Sequence, residues 1–106
     1  MPEPYHPDET SLQAVLYALA DPSRLRMVRE LTRAREIAST QFNSIKFARG
    51  TVAHHLKYLR LAGITWTRLV GTRRMVSLRR ELIDAGFPGL LDAILNTTPI
   101  DPNIPC

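Results

Sequence analysis

The chain has 106 residues, of which 44% are hydrophobic and 23% charged, a balance typical of one small globular domain and too apolar for a disordered protein. It has no apolar stretch near the ~20 residues that span a bilayer, and its first residues combine acids and prolines where a secretion signal needs bases and then apolar residues. The single cysteine, Cys106, excludes a disulfide or a cysteine-based metal cluster within one chain. It is a bystander, a bridge between chains or a redox sensor. We therefore predict a cytosolic, single-domain protein.

Positive charge is concentrated in the middle of the chain. All 14 lysines and arginines lie between Arg24 and Arg80, where Glu30 and Glu36 are the only two acids, a formal excess of 12 positive charges. Such a field attracts polyanions, and in the cytosol the expected polyanion is nucleic acid. A basic surface that only faces solvent is the alternative.

Both ends of the chain are rich in proline. Residues 1–10 and 97–106 each contain three prolines, which predicts a flexible, extended or disordered N-terminal arm and an irregular C-terminal tail. The folded body is then expected at residues 11–96.

Two helices are predicted at the start of this body. Leucines and a valine at helical spacing indicate a mostly apolar helix over 11–20. Asp21 is a suitable N-cap and Pro22 a suitable first residue for a second helix, which runs to about Thr32. Its arginines are expected largely on the outer surface: Arg24, Arg26, Arg29 and Arg33.

A short helix near 36–42 and a longer one over 49–62 are predicted next. The apolar side of the longer helix consists of Val52, Leu56 and Leu59. His54 and Lys57 fall on the opposite, exposed side, and His55 falls at the edge of the buried side. Gly63 then ends the helix as a C-cap glycine.

A β-hairpin and a last helix complete the body. Two runs of alternating polarity, 64–69 and 74–78, flank a turn that contains Gly71 and predict a two-stranded hairpin with a basic tip. Apolar residues at helical spacing predict a final helix over 80–95, which the Gly86-Phe87-Pro88-Gly89 segment could kink or divide.

This order of elements is typical of a winged helix-turn-helix, a mainly α fold with about five helices and a two-stranded antiparallel hairpin, the wing. In this architecture the recognition helix enters the major groove and the wing reaches the adjacent backbone or minor groove. The candidate DNA-contacting residues on the recognition helix and the wing are Arg49, Gly50, Thr51, His54, Lys57, Arg68, Arg73 and Arg74.

Three motifs resemble the ArsR/SmtB family of bacterial winged-helix repressors over residues 12–95: ALADPSRLRMVREL, GTVAHHLKYLRLAGI and TRLVGTRRMVSL. The resemblance implies a homodimer that binds a pseudo-palindromic operator and represses a nearby operon. It also implies an interface formed by the first and last helices, here Leu12, Val15, Leu16, Leu19, Phe87, Leu90, Leu91, Ile94 and Leu95.

The sequence departs from this family at its sensor positions. Many members carry cysteines in the helix before the recognition helix, where this chain has residues 37–42 without cysteine, and others bind metal through histidines on the last helix, where residues 80–95 have none. Asp84 and Asp92 alone are poor ligands for a transition metal. Gly50 and Ala53 stand where relatives often have serines. We predict no cofactor and a non-classical or absent metal site.

Several residues keep a second interpretation. Adjacent histidines on a helix point about 100° apart and cannot bind one metal ion together. The two interpretations of His54 are therefore a DNA contact and a position facing solvent. His6 with Asp8 and Glu9 could supply metal ligands or belong to a solvated tail. The remaining cases are Trp66 and Tyr58, which pack the domain or stack on bases, and Arg79 and Arg80, which contact phosphate or face solvent.

The sequence does not favour an enzyme, because it shows no nucleophile and base pair, no phosphate-binding glycine loop and no carboxylate pair at a plausible pocket. The alternative to an autonomous regulator is a winged-helix interaction subunit that needs a separate sensor protein. The basic recognition helix and wing favour direct DNA binding over this alternative.

Overall fold

The computed structural model of the chain describes residues 4–45 and 49–97. In chain order its elements are α1 (Leu12–Leu19), α2 (Pro22–Arg33), β1 (Ile37–Ala38), a 3₁₀ helix (Ser39–Ile45), α3 (Arg49–Leu61), β2 (Thr65–Val70), β3 (Arg73–Leu78), α4 (Arg80–Gly86) and α5 (Leu90–Leu95). This is the predicted winged helix-turn-helix class, with α3 in the recognition position and β2 and β3 as the wing. None of the helices in the described part is long and apolar enough to cross a membrane.

The first two helices begin at the predicted caps. The Ser11 hydroxyl accepts the Ala14 N–H at 3.1 Å, and the Asp21 carboxylate accepts the N–H groups of Ser23 and Arg24 at 2.8 and 3.1 Å. These bonds satisfy backbone donors that have no partner within the helix. The Asp21 side chain is therefore held at the start of α2.

One hydrophobic core joins all the helices to the sheet. Its largest fully buried side chains come from α1, α2, the 3₁₀ helix, α3, the segment between α3 and β2, β3 and the last two helices: Val15, Met27, Val28, Phe42, Leu59, Ile64, Val76, Ile83 and Leu91. The predicted apolar side of α3 is confirmed, because Val52, Leu56 and Leu59 are all buried.

The sheet has a third strand that the sequence did not indicate. Its order is β1-β3-β2, and β1 pairs antiparallel with β3 through Ile37 opposite Val76 and Ala38 opposite Met75. The prediction of a helix from residue 36 was therefore wrong at its start, since helical structure begins only at Ser39 and is of the 3₁₀ type. A two-residue strand has no periodicity of its own and forms through tertiary pairing.

The last helix is divided at Phe87-Pro88-Gly89. Proline has no N–H and its ring clashes with the carbonyl of the residue four positions earlier, so α4 ends before Pro88. Gly89 has a φ of +79° and precedes α5, a backbone conformation that favours glycine. Two short helices replace one long helix, and both still pack on the core.

Gly63 ends α3 as predicted. Its N–H donates to Arg60 O and the Ile64 N–H donates to Leu59 O, both at 3.0 Å, which is the pair of bonds of a Schellman motif. The φ of Gly63 is +80°, and a Cβ placed there would lie 2.9 Å from Cβ of Thr10. Backbone conformation and close packing therefore both require glycine.

Candidate nucleic-acid interface

The exposed side of α3 carries polar and basic side chains. His54 and Lys57 are exposed, as predicted from the helical pattern. The backbone of Arg49, Gly50 and Thr51 forms the first turn of α3, whereas the side-chain contacts predicted for these residues lie outside the described part. Because the opposite side of α3 is packed against the core, this side is free to approach a ligand.

The tip of the wing carries two exposed arginines on opposite faces. Arg73 pairs with Val70 and Arg74 with Leu69 across the hairpin, and successive side chains of a strand point to opposite faces of the sheet. Burial and the charge of Arg74 both lower the pKa of Arg60 near the end of α3. Arg74 therefore lies close enough to α3 to add to its positive field.

Arg68, the third predicted wing contact, is engaged within the protein. Its Nε and Nη2 donate to the two carboxylate oxygens of Glu36 at 2.6 and 2.8 Å. The hydrogen bond from Arg68 lowers the pKa of Glu36, so this exposed pair is fully charged at neutral pH. A contact between Arg68 and phosphate would have to replace these bonds.

The described part of the arm, residues 4–10, has no helix or strand and lies along β2. The Thr67 N–H donates to His6 Nε2 at 2.9 Å, and the His6 ring stacks on Trp66 with centroids 3.8 Å apart and planes 9° apart. Further along, the Thr10 hydroxyl donates to the Ala62 carbonyl. The arm thus occupies the outer edge of the wing.

Two arginines complete the contact with the arm. Arg60 Nε donates to Tyr5 O at 3.1 Å and Arg79 Nη1 donates to Pro7 O at 2.9 Å. The Arg79 guanidinium also lies 5.1 Å from the centre of the Trp66 ring. Trp66 therefore has a histidine and a guanidinium as neighbours, although 43% of its surface remains exposed.

Arg80 joins the last two helices. Its Nε donates to Asp84 at 3.0 Å within α4, and its Nη2 donates to Asp92 on α5. The hydrogen bonds that Arg80 donates to Asp92 and Asp84 raise its pKa. Both carboxylates that the sequence analysis weighed as metal ligands are thus paired with a cation.

Arg24 on α2 is buried, contrary to the prediction of a surface position. Only 8% of its surface is exposed, and its Nε donates to Ala18 O at 2.6 Å at the end of α1. The sequence does contain an indication of this position, because Arg24 precedes Val28 and Leu31 by four and seven residues and so shares their side of the helix. Its hydrogen bonds and ring contacts make burial of the charge possible.

His55 on α3 lies at the predicted edge of the core and is 7% exposed. Its Nδ1 lies 3.4 Å from Arg24 Nη1, and its Nε2 lies 4.0 Å from Asp21 Oδ1. Burial lowers the pKa of His55, and Arg24 and His54 add to this effect while Asp21 opposes it. Burial therefore favours the neutral form of the ring.

No model of a known protein family matches the chain. The chain is 30% identical over 89 residues to YceK, an uncharacterized HTH-type transcriptional regulator of Bacillus subtilis (strain 168), an alignment that covers 82% of this chain and 89% of YceK. It is also 32% identical over 73 residues to the arsenical resistance operon repressor of Staphylococcus xylosus, with coverage of 69% of this chain and 70% of the relative.

Solved structures show the same fold. The crystal structure of the ArsR family transcriptional regulator RHA00566 matches with a TM-score of 0.66 at 23% identity and covers 77% of this chain and 90% of its own. HlyU from Vibrio cholerae N16961 matches with a TM-score of 0.59 at 22% identity and covers 71% of this chain and 89% of its own.

The chain belongs to the ArsR/SmtB family of winged helix-turn-helix transcriptional regulators. The predicted function class, a DNA-binding transcriptional regulator and not an enzyme, is thereby confirmed. The buried Arg24, strand β1 and the packing of the arm along β2 are features of the structure that were not predicted from the sequence.

Of the residues that the resemblance assigns to a dimer interface, only some lie at the surface of this ArsR/SmtB chain. Leu12 and Leu16 of α1 are 41% and 44% exposed, whereas Val15, Leu19 and Leu91 are buried in the core of the protomer itself. The remaining positions are partly buried: Phe87, Leu90, Ile94 and Leu95.

The described part of the chain holds no group of three histidine, cysteine, aspartate or glutamate side chains close enough to share a metal ion. His6 in particular is stacked on Trp66 and accepts a backbone N–H. Cys106 lies outside the described residues.

Proposed function

We propose that α3 is the recognition helix of this regulator and enters the major groove with His54 and Lys57, together with Arg49, Gly50 and Thr51 of its first turn. The observation that carries this proposal is the packing of α3, which buries its apolar side and leaves His54 and Lys57 exposed. A B-DNA major groove is wide enough to admit such a helix.

Arg73 and Arg74 at the wing tip are proposed to contact the adjacent backbone or minor groove. After burial, the charge of Arg74 is the second cause that lowers the pKa of Arg60 near the end of α3, which supports a position of Arg74 near that helix. A contact between Arg68 and DNA requires its hydrogen bonds to Glu36 to be given up first.

The regulator is proposed to act as a homodimer on a pseudo-palindromic operator. Leu12 and Leu16 lie one helical turn apart on α1 and are exposed, and the partly buried Leu90, Ile94 and Leu95 of α5 add apolar surface. A small domain gains stability by covering such a surface with a second copy. Since a C2 dimer presents two recognition helices, its target has two half-sites about one helical turn apart.

We further propose that the protein works in the cytoplasm as a repressor of a nearby operon. One relative is named as the repressor of an arsenical resistance operon. With Cys106 as its single cysteine, this chain has no pair of thiolates within one protomer, so we do not extend the arsenical response to it. A sensor partner remains the alternative to an effector that binds this chain directly.

Fluorescence anisotropy with the DNA upstream of the protein's own coding region tests the DNA contacts. We expect specific binding in excess nonspecific competitor, and affinity losses of about 1–3 kcal/mol for Lys57→Ala and Arg74→Ala. Each lost phosphate contact should also reduce the log-log salt slope by roughly 0.9. Arg33→Ala removes the same charge from the exposed end of α2 and should bind like the wild type.

Equal affinities for Lys57→Ala, Arg74→Ala and Arg33→Ala would contradict the proposed interface. Failure of the wild-type protein to bind any such fragment specifically would favour the subunit that requires a sensor partner. Sedimentation of Leu16→Asp tests the dimer, because this exposed position should yield folded monomers, whereas Leu91→Asp should unfold the protomer. A Leu16→Asp dimer as stable as the wild type would place the interface elsewhere.

A further inference from the structure

A buried cation joins the first helix pair to the recognition helix. The Arg24 guanidinium lies 5.0 Å from the centre of the Tyr58 ring on α3 and 5.8 Å from that of Tyr17 on α1. It donates to Ala18 O at 2.6 Å and, with Nη2, to Tyr17 O at 3.4 Å. Arg24 thus contacts α1 and α3 from a position on α2.

The geometry at His55 defines its protonation state. An arginine side chain has donors and no acceptor, so Arg24 Nη1, 3.4 Å from His55 Nδ1, can only donate. The Nδ1 atom must therefore carry the lone pair, and the proton of the neutral ring is on Nε2, which faces Asp21 Oδ1 at 4.0 Å. A second proton could bind only at Nδ1, against the guanidinium.

Asp21 compensates for such a proton only in part. Its carboxylate already accepts two backbone N–H groups at the start of α2, and these bonds keep it on the Nε2 side of the ring. Protonation at Nδ1 would remove the hydrogen bond from Arg24 and place two cations in contact in a site that is more than nine-tenths buried.

We propose that Arg24 and His55 form a pH-sensitive link that positions α3 on α1 and α2 for DNA binding, and that protonation of His55 weakens this binding. The inference rests on the proposed function of α3 as the recognition helix. Arg24 and His55 are positioning residues, because they act through the orientation of α3 and of its exposed neighbours His54 and Lys57.

The charged and titratable groups that face His55 come from three helices. They are Asp21 and Arg24 of α2, His54 and Tyr58 of α3, and Tyr17 of α1, which shares the Arg24 guanidinium with Tyr58. Because His54 is exposed on the proposed DNA-contacting side, a proton there adds a cation that favours DNA, so the two histidines should act with opposite sign.

The chain contains three histidines, and each has a non-titrating replacement of similar shape. His55→Asn places an amide oxygen at the position of Nδ1, where it can accept from Arg24. His54→Asn is the matched change at the adjacent exposed position. His6→Gln keeps a polar atom at the position of Nε2 in the arm.

The experiment compares the Kd for upstream DNA at pH 5.5 and pH 7.5, at constant ionic strength, for the wild type and the three variants. Circular dichroism at both pH values ensures that only folded protein is compared. We expect the ratio of the acid Kd to the neutral Kd to be at least about threefold smaller in His55→Asn than in the wild type. His6→Gln should keep the wild-type ratio, and His54→Asn should raise it.

A ratio in His55→Asn equal to that of the wild type overturns the inference. Arg24→Lys provides a second test of the link, because lysine keeps the charge but cannot bridge Ala18 O and His55. It should bind DNA several-fold more weakly than the wild type at pH 7.5 while remaining folded, and unchanged affinity would also count against the link.

The same binding measurements distinguish a failure of this inference from a failure of the proposed function. If Lys57→Ala and His54→Asn bind DNA like the wild type, α3 is not the recognition helix and both proposals fail. If Lys57→Ala loses affinity while His55→Asn keeps the wild-type response to pH, the recognition helix stands and only the link is refuted.

Discussion

Two polar contacts between elements of this molecule, which we call junctions, differ in how deeply they are buried. Beneath α3, Arg24 and His55 are almost completely buried and their contacts join three helices. At the wing, His6 stacks on Trp66, whose ring remains 43% exposed. In both junctions an arginine lies against an aromatic ring and a histidine nitrogen takes part in a hydrogen bond. The two junctions therefore have similar interactions but differ in burial.

Burial raises the free-energy cost of losing a hydrogen-bond partner. In the interior an unpaired polar group pays the full cost of desolvation, whereas at the surface water replaces a lost partner. We therefore expect the junction beneath α3 to control stability and the orientation of α3, and the junction at the wing to hold the arm with only a small contribution to the free energy of unfolding.

The largest expected effect is that of Arg24→Met. It leaves Ala18 O and His55 Nδ1 without their donor in a buried site, so the free energy of unfolding should fall by about 3 kcal/mol. Urea denaturation at pH 7.5 measures this loss. Arg26→Met, at an exposed position of the same helix, is the control, and equal losses for the two variants would refute the role of burial.

Gly63→Ala tests where the arm and the end of α3 meet. The positive φ of Gly63 and the short approach of Thr10 should together cost about 2 kcal/mol of unfolding free energy. Gly86→Ala is the matched control, because Gly86 lies in α4 without a positive φ and a Cβ there meets nothing within 4 Å. If the two alanine variants were equally stable, the close packing at Gly63 would be disproved.

Thr65→Val extends the comparison to a buried group that lacks a partner. The Thr65 hydroxyl in β2 is buried and makes no hydrogen bond within the described part of the chain, so valine should raise the free energy of unfolding by about 1 kcal/mol. Thr10→Val should have the opposite sign, because the Thr10 hydroxyl donates to Ala62 O. Thermal melts of both variants measure the two changes in stability. A destabilised Thr65→Val variant would show that the Thr65 hydroxyl has a partner.

His6→Ala should give the smallest effect. Removal of a stacked ring at the surface is expected to lower the free energy of unfolding by about 0.5–1 kcal/mol. Tyr5→Ala truncates an exposed side chain whose residue is held through its carbonyl, and it should melt like the wild type. A loss for His6→Ala as large as that for Arg24→Met would remove the distinction between the two junctions.

The sequence predicted the elements that repeat a pattern and missed those that depend on distant partners. The spacing of Val52, Leu56 and Leu59 located the buried side of α3, and Gly63 located its end. The strand at Ile37–Ala38 could not be predicted, because it exists only through its pairing with β3. The positions of His54 and Lys57 followed from the same helical pattern as the core.

Arg24 shows a different limit of sequence reasoning. Its spacing from Val28 and Leu31 indicated a buried position, but a charged side chain suggested the surface, and only the carbonyls and rings around it make burial possible. The arm is a similar case. Its composition predicted the absence of regular structure, whereas the stack of His6 on Trp66 joins residues 60 positions apart and leaves no local pattern.

The most direct test of the central claim is a map of backbone amide chemical shifts while operator DNA is added to ¹⁵N-labelled protein. We expect the perturbed amides to cluster at residues 49–57 of α3 and at the wing tip around residues 71–74, with α1 and α5 little affected. Perturbations concentrated on α1 and α5, with α3 and the wing tip unchanged, would contradict it.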